Sequence, residues 1–354
     1  MRGIFQKFAR DEGRPQFTVS ENIDCPAINA NSIKVQVKAC ALSLIDSKVL
    51  LELFKKTPQS EYPVGQEIAG IVIETGEAVT AVTSGDRVAG LLPLDSTVSG
   101  CGEFCVFHEY DVVKIPDSIE FSNAAATLKD GIKAYTALHY NAHVCSGDTV
   151  LILDGATSFG SMAVQLAICW GAKVLTTASD EEEKRYLESL VPAPAQVIEL
   201  SGKSDFLVGA VLDETGGLGV DCVIDNGVHM FTSEEDSRIL VDEMRHPLPS
   251  KYDIISSLAV GGRWVTSQFD LQLDPPNSEM LYLKGASVSY LFEHVWTMSA
   301  GQQGRYQHIL LDLMDKVAHN VLRVNINKTV SFEKTVETLR RLSDIRIGKA
   351  VTLL

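Results

Sequence analysis

The chain is 354 residues long, 45 % apolar and 22 % charged, with a formal net charge of −15. That length is more than one hydrophobic core usually serves, so two domains are expected, and the composition excludes a disordered or low-complexity protein. The acid excess argues against nucleic acid or anionic lipid as a direct partner, and the short basic runs Lys55-Lys56 and Arg340-Arg341 read as solvated helix faces.

Seven cysteines, at 25, 40, 101, 105, 145, 169 and 222, are odd in number and form no C-x-x-C pair. Such usage points to reduced thiols and a cytoplasmic setting. The first residues, Met1 to Lys7, alternate in polarity as a strand does, unlike a signal segment. No apolar run reaches the roughly eighteen residues of a membrane span, so membrane association is expected only through a partner.

Residues 1–120 read mainly as short strands, at 32–42, 67–74, 86–92 and 103–108, punctuated by glycines as turns and bulges require. One helix, 45–54, interrupts them. From about Phe121 the period changes: a helix with Ser122 as its N-cap runs through 124–140. Strand 150–153, helix 161–170 and strand 173–178 follow, and then an acidic helix at 180–190. Strand 196–200, helix 205–214 and strand 221–225 continue the alternation. A polar, acidic stretch, 232–252, reads as a surface elaboration, after which a helix near 253–258 and strand 262–267 resume. Strands alternating with helices predict a doubly wound parallel sheet. The tail offers strands at 286–291, 321–324 and 349–354 and helices at 303–317 and 332–342, an order that suits either an extension of this sheet or a return to the first domain.

The turn after the strand at 150–153 is Gly155-Ala156-Thr157-Ser158-Phe159-Gly160. Against the dinucleotide fingerprint G-x-G-x-x-G, the first and last glycines fit and the middle one is Thr157. The two that shape the fold are kept; the one that lets backbone approach a pyrophosphate is replaced. A helix N-terminus still offers N–H groups to an anion, and the hydroxyl of Thr157 or Ser158 is available to donate to phosphate. After the strand at 173–178 comes Ser179, not a carboxylate, so a 2′-phosphate would meet no acid directly, although the acidic run 180–183 lies beside that place and like charge opposes a phosphate.

Taken together, Tyr62-Pro63-Val64-Gly65-Gln66-Glu67-Ile68-Ala69-Gly70, Gly85-Asp86-Arg87-Val88, the helix at 124–138, Gly219-Val220-Asp221 and Gly348-Lys349-Ala350-Val351 resemble the medium-chain dehydrogenase/reductase superfamily. Within it the chain is most similar to the zeta-crystallin-like, quinone oxidoreductase-like branch. The resemblance implies a GroES-like substrate domain at 1–120, completed by 290–354, and a Rossmann dinucleotide-binding domain at 121–289. It further implies an NADPH cofactor between the domains, reduction of quinones or related enones, and pairing as a homodimer.

Zinc-dependent relatives need three protein ligands, typically Cys and His. Where the resemblance places their cysteine and histidine this chain has Ser43 and Gln66, so no metal is expected, and Cys101 and Cys105 read as structural thiols. The zinc-free relatives' asparagine, tyrosine and arginine of the substrate side correspond to Ser43, Lys48 and Leu50, with Asp46 retained. Asp46 reads either as a helix cap or as a group that orients a substrate hydroxyl. Their nicotinamide-facing threonine corresponds to Lys133, which reads either as a partner for an anionic ligand or as a plug in the nicotinamide space. Their paired glycines correspond to Thr157 and Ser158. At least five such departures in one cleft lead to the expectation of a cofactor site in which NADPH binding is weak or lost. The chain would then serve as a non-catalytic binding or scaffold subunit among other proteins; the alternative is an active NADPH-dependent quinone or enone reductase. Lys133, Gly155, Thr157, Ser158, Phe159, Gly160, Ser179 and Lys184 are the candidate cofactor residues.

Overall fold

Period-two patterning builds the first half of the chain as strands, and a computed structural model describes them within residues 1–8, 15–43, 50, 60–200, 206–228, 249–298 and 300–354. Strand β1 (Gly3–Phe8) pairs antiparallel with β2 (Pro15–Ser20). The long β3 (Ser32–Leu42) follows, its Ile33, Val35 and Val37 buried while Lys34 reaches outward to Glu74. Then come β4 (Tyr62–Pro63), β5 (Glu67–Thr75), β6 (Arg87–Leu91), β7 (Phe104–His108) and β8 (Val112–Lys114). The helix expected at 45–54 lies outside the described residues except for Leu50.

Helix α1 (Phe121–Tyr135) begins before Ser122, because the Ala124 amide already donates to the Glu120 carbonyl; Ser122 is therefore inside the helix and not its cap. The helix widens into a π turn over Thr136–Asn141.

An apolar run and a β-branched run then form neighbouring parallel strands, β9 (Thr149–Ile152) and, after α2 (Ser158–Cys169), β10 (Lys173–Ala178). Helix α2 starts three residues earlier than its apolar pattern suggests because Thr157 caps it. Next are α3 (Glu181–Glu188), β11 (Gln196–Glu199), α4 (Phe206–Glu214) and β12 (Val220–Asp225). Of the polar stretch 232–252 only 249–252 is described, and there Ser250 and Asp253 form a capping box that starts α5 (Lys251–Ser257) two residues before the expected helix. Strand β13 (Leu258–Thr266), α6 (Pro275–Lys284) and β14 (Ser287–Tyr290) complete this part. Helix α6 had no sequence expectation, yet its signals are plain: Pro at the first positions and Gly285 in the left-handed conformation at its end.

All pairings in this sheet are parallel, in the order β11-β10-β9-β12-β13-β14. The order turns back between β9 and β12, which is the doubly wound Rossmann arrangement and its ligand-binding switch point. Leu151, Leu175, Val223 and Trp264 lie in its core.

The tail resolves as α7 (Gln303–Ala318), β15 (Ile326–Ser331), α8 (Phe332–Arg340) and β16 (Lys349–Leu353). No strand forms at 321–324. Asn320 is left-handed and the Val321 and Leu322 amides donate to the Lys316 carbonyl, so these residues close α7 and pairing starts later. Strand β16 joins β3 antiparallel, so the tail returns to the first sheet, ordered β15-β16-β3-β5-β6-β8 with β7 on β3. The chain thus divides into unit 1, Met1–Ile132 with His294–Leu354, and unit 2, Lys133–Glu293. No described helix is long and apolar enough to cross a membrane.

Candidate functional site

The end of β9 leads into the fingerprint turn of unit 2, where the two retained glycines are fixed by contact. A Cβ on Gly155 would fall 1.9 Å from Thr176 Oγ1, and one on Gly160 would fall 2.2 Å from the Asp154 carbonyl oxygen. Thr157 closes the space between them. Its Oγ1 accepts from the Gly160 amide at 3.0 Å and donates to the Asp154 carbonyl at 2.8 Å. The hydroxyl expected to be available to phosphate is committed to its own backbone, and so is one of the N–H groups a phosphate would use. Thr157 stands at φ −62°, an ordinary conformation, so the substitution is built in without strain.

Lys133 and Phe159 come together here. The Lys133 ammonium lies 4.7 Å from the Phe159 ring centroid and donates to Asn226 Oδ1 at 2.5 Å. Asn226 follows Asp225, whose buried carboxylate accepts from Trp264 Nε1, from Thr266 Oγ1 at 2.8 Å and from the Gly227 amide at 2.8 Å. Burial raises the Asp225 carboxyl pKa, while the bonds from Trp264, Thr266 and Gly227 and the charge of Lys133 oppose the rise. Asn226 was not among the expected site residues; its place immediately after β12, at the switch point, is the signal that would have found it.

The end of β10 differs from expectation. Ser179 is there, but its amide donates at 2.7 Å to Glu183 Oε2, whose side chain folds back from the first turn of α3. Glu183 is only 5 % exposed. A carboxylate therefore does stand where a 2′-phosphate was expected to meet none. Lys184 is turned to Glu199, 3.8 Å away, and Asp180 caps α3 through the Glu182 and Glu183 amides. At the end of β9, Asp154 is left-handed (φ 53°). Burial, then the nearby carboxylates of Glu183 and Asp225, push its carboxyl up to about 6. Three acids thus gather at the carboxyl ends of β9, β10 and β12.

In unit 1, Ser43 Oγ donates to Glu67 Oε1 at 2.7 Å. Glu67 is fully buried and also accepts from Lys349 Nζ at 2.6 Å, and Lys349 pairs with Asp130 at 2.8 Å. Burial raises the Glu67 carboxyl and Lys349 opposes it; the Lys349 ammonium, against its own burial, is raised by Asp130 and Glu67. Asp46 and Lys48 lie outside the described residues. Gln66 offers a buried Oε1 with no hydrogen-bond partner. Cys40, Cys101 and Cys105 are buried in the core of unit 1, Cys40 and Cys101 with sulfurs 3.7 Å apart, and burial raises the Cys105 thiol. Among the described residues no group of three or more His, Cys, Asp or Glu is placed to hold a metal ion.

Comparison with known proteins places this geometry. The model of the alcohol dehydrogenase GroES-like domain matches residues 29–117. Quinone oxidoreductase-like protein 1 of Mus musculus is 42 % identical over 330 residues, 93 % of either chain. The Escherichia coli quinone oxidoreductase in complex with NADPH superposes with a TM-score of 0.76 at 19 % identity, covering 100 % of both chains. That from Pseudomonas syringae pv. tomato gives 0.78 at 22 %, also over 100 % of both chains. The fold is that of a GroES-like domain with a Rossmann domain, and the chain belongs to the quinone oxidoreductase-like family of the medium-chain dehydrogenase/reductase superfamily.

Proposed function

We propose that this protein is a zinc-free quinone oxidoreductase-like protein whose cofactor cleft has lost its fit for NADPH. It acts as a non-catalytic binding or scaffold subunit of a cytosolic protein assembly. The observation that carries this is the closed start of α2, where the Thr157 hydroxyl takes the Gly160 amide and gives its own proton to Asp154. Backbone N–H groups at that terminus are what a Rossmann fold offers a pyrophosphate. Lys133, held by Asn226 and Phe159, and Glu183, beside Ser179, add side chains to the same end of the sheet.

Its partners are other protein subunits or a second copy of the chain. Any membrane contact comes through them, and nucleic acid is not a direct partner at a net charge of −15. Retention of both fold-shaping glycines favours, as a second reading, an active NADPH-dependent quinone or enone reductase.

Trp170 lies at the C-terminal end of α2, edge-on to Tyr135 with ring centroids 5.1 Å apart, so its emission reports on this region. Titration of the purified protein with NADPH is expected to give no saturable change below about millimolar cofactor. Saturation at micromolar NADPH with turnover of a quinone would establish the second reading instead.

A further inference from the structure

In unit 1, β3 and β7 pair as far as Gln36 and Phe104, and the Val37 amide still donates to the Glu103 carbonyl. Ahead of Glu103 the chain leaves β3, and the Gly100 and Cys101 amides donate to the Gly65 and Val64 carbonyls instead. That turn sets Cys101 against Cys40 of β3, both fully buried, with the sulfurs 3.7 Å apart. Gly65 is wedged against the pair. It stands at φ +84°, and a Cβ on it would fall 2.6 Å from Cys40 Sγ and 2.7 Å from Cys101 Sγ, so only glycine leaves the two sulfurs room to touch. A disulfide requires them to close by about 1.7 Å, to about 2.05 Å. The third thiol of this core, Cys105, donates to the Ser99 carbonyl at 3.6 Å.

A cavity of about 10 Å³, room for one water-sized molecule, adjoins Gly65 and Gln66. Pro63, Ser96 and Val98 also line it and are half-buried, so it is not sealed from the surface. Gln66 is 9 % exposed, and its buried Oε1 has no hydrogen-bond partner among the described residues. An acceptor in that state costs free energy until a donor reaches it. Hydrogen peroxide is close to water in size and carries two O–H donors. We propose that Cys40 and Cys101 are a redox pair that hydrogen peroxide, admitted at the Gln66 cavity, converts to a disulfide.

The sulfur of one thiol attacks a peroxide oxygen, the O–O bond breaks, and hydroxide leaves with the thiol proton as water. The sulfenic acid so formed is attacked by the second sulfur: the S–S bond forms, the S–O bond breaks, and the hydroxyl leaves with the second thiol proton as another water. Two thiols are thus oxidised and one peroxide is reduced to two waters. The contact with Cys101, and then burial, hold the Cys40 thiol protonated, so the reaction is slow and its product is the quantity to measure. The new bond spans 61 positions, from β3 across β4, β5 and β6, and makes the oxidised form of unit 1 the more constrained one.

The full chain, reduced and then freed of reductant, is treated with millimolar hydrogen peroxide in native buffer, and its peptides are mapped by mass spectrometry without reduction. A peptide linked through Cys40 and Cys101 is expected, lighter by two hydrogens than its parts and released by dithiothreitol, while circular dichroism stays unchanged. Cys105→Ser is expected to leave the link intact. Gln66→Leu, which removes the acceptor, is expected to slow its formation about fivefold. The proposal is overturned if no linked peptide is found once the exposed Cys25, Cys145 and Cys169 are oxidised, or if the link forms only in urea. A Cys101–Cys105 link in its place, or an unchanged rate in Gln66→Leu, overturns it equally.

Discussion

Asp154 is an acid in the wrong place for stability at neutral pH. Its carboxyl, ordinarily near 3.8, is pushed to about 6 by burial and by the Glu183 and Asp225 carboxylates. An acid with a higher pKa folded than unfolded holds its proton more tightly in the native state. Stability is therefore lost as pH rises from about 3.8 to about 6 and stays lost above that range. At 1.36 kcal/mol per pH unit the full effect is about 3 kcal/mol. Asn removes the charge and keeps the shape, and it tolerates the left-handed backbone at this position. Asp154→Asn is expected to stabilise unit 2 by about 1–3 kcal/mol at pH 8 and by almost nothing at pH 4. Urea unfolding followed through Trp170 and Trp264, both in unit 2, measures the gap at each pH. A gap independent of pH, or a variant less stable than wild type at pH 8, would refute a carboxyl raised by burial and by its acid neighbours.

Lys349→Met should leave Glu67 buried without its cation and lower stability by about 3–5 kcal/mol at pH 8 in calorimetric melts. Because burial raises the Glu67 carboxyl, the deficit should shrink at pH 5, where that group takes up a proton more readily. Gly155→Ala drives a Cβ against Thr176 Oγ1 and should cost at least about 1–3 kcal/mol, visible as a lower denaturant midpoint. Thr157→Gly with Ser158→Gly reopens the start of α2 and should tighten NADPH binding about tenfold by fluorescence titration. An unchanged affinity assigns the block to Lys133, and Lys133→Thr should then relieve it.

Much of this was legible in the sequence where a single physical pattern governs a segment. The apolar run of β9, the β-branched run of β10 and the alternation of β3 mark these segments as strands, because a buried parallel strand is largely apolar or β-branched while a half-buried one alternates. Short pieces such as β4 and β8 carry too few residues to show a period. Residues 321–324 looked like a strand because Val321, Leu322 and Val324 favour one, but the Val321 and Leu322 amides are spent on closing α7. The candidate site was legible at the turn, where spacing alone exposes Thr157. It was misread at the end of β10, because Glu183 reaches Ser179 across a helix turn. A search for an acid directly after the strand does not see a side chain that folds back from four residues on.

The Glu67–Lys349–Asp130 cluster also bears on how the chain is made. Glu67 is translated early and buried completely, yet its cation arrives some 280 positions later, within β16. Until that segment leaves the ribosome, the nascent first sheet lacks the Lys349 ammonium at Glu67 and the strand that pairs with Ala39 to Leu42 of β3. Residues 133–293, by contrast, form a unit from one continuous stretch of chain. Vectorial folding should therefore proceed from the middle outward, and the N-terminal segment should be the part that engages chaperones while translation is under way.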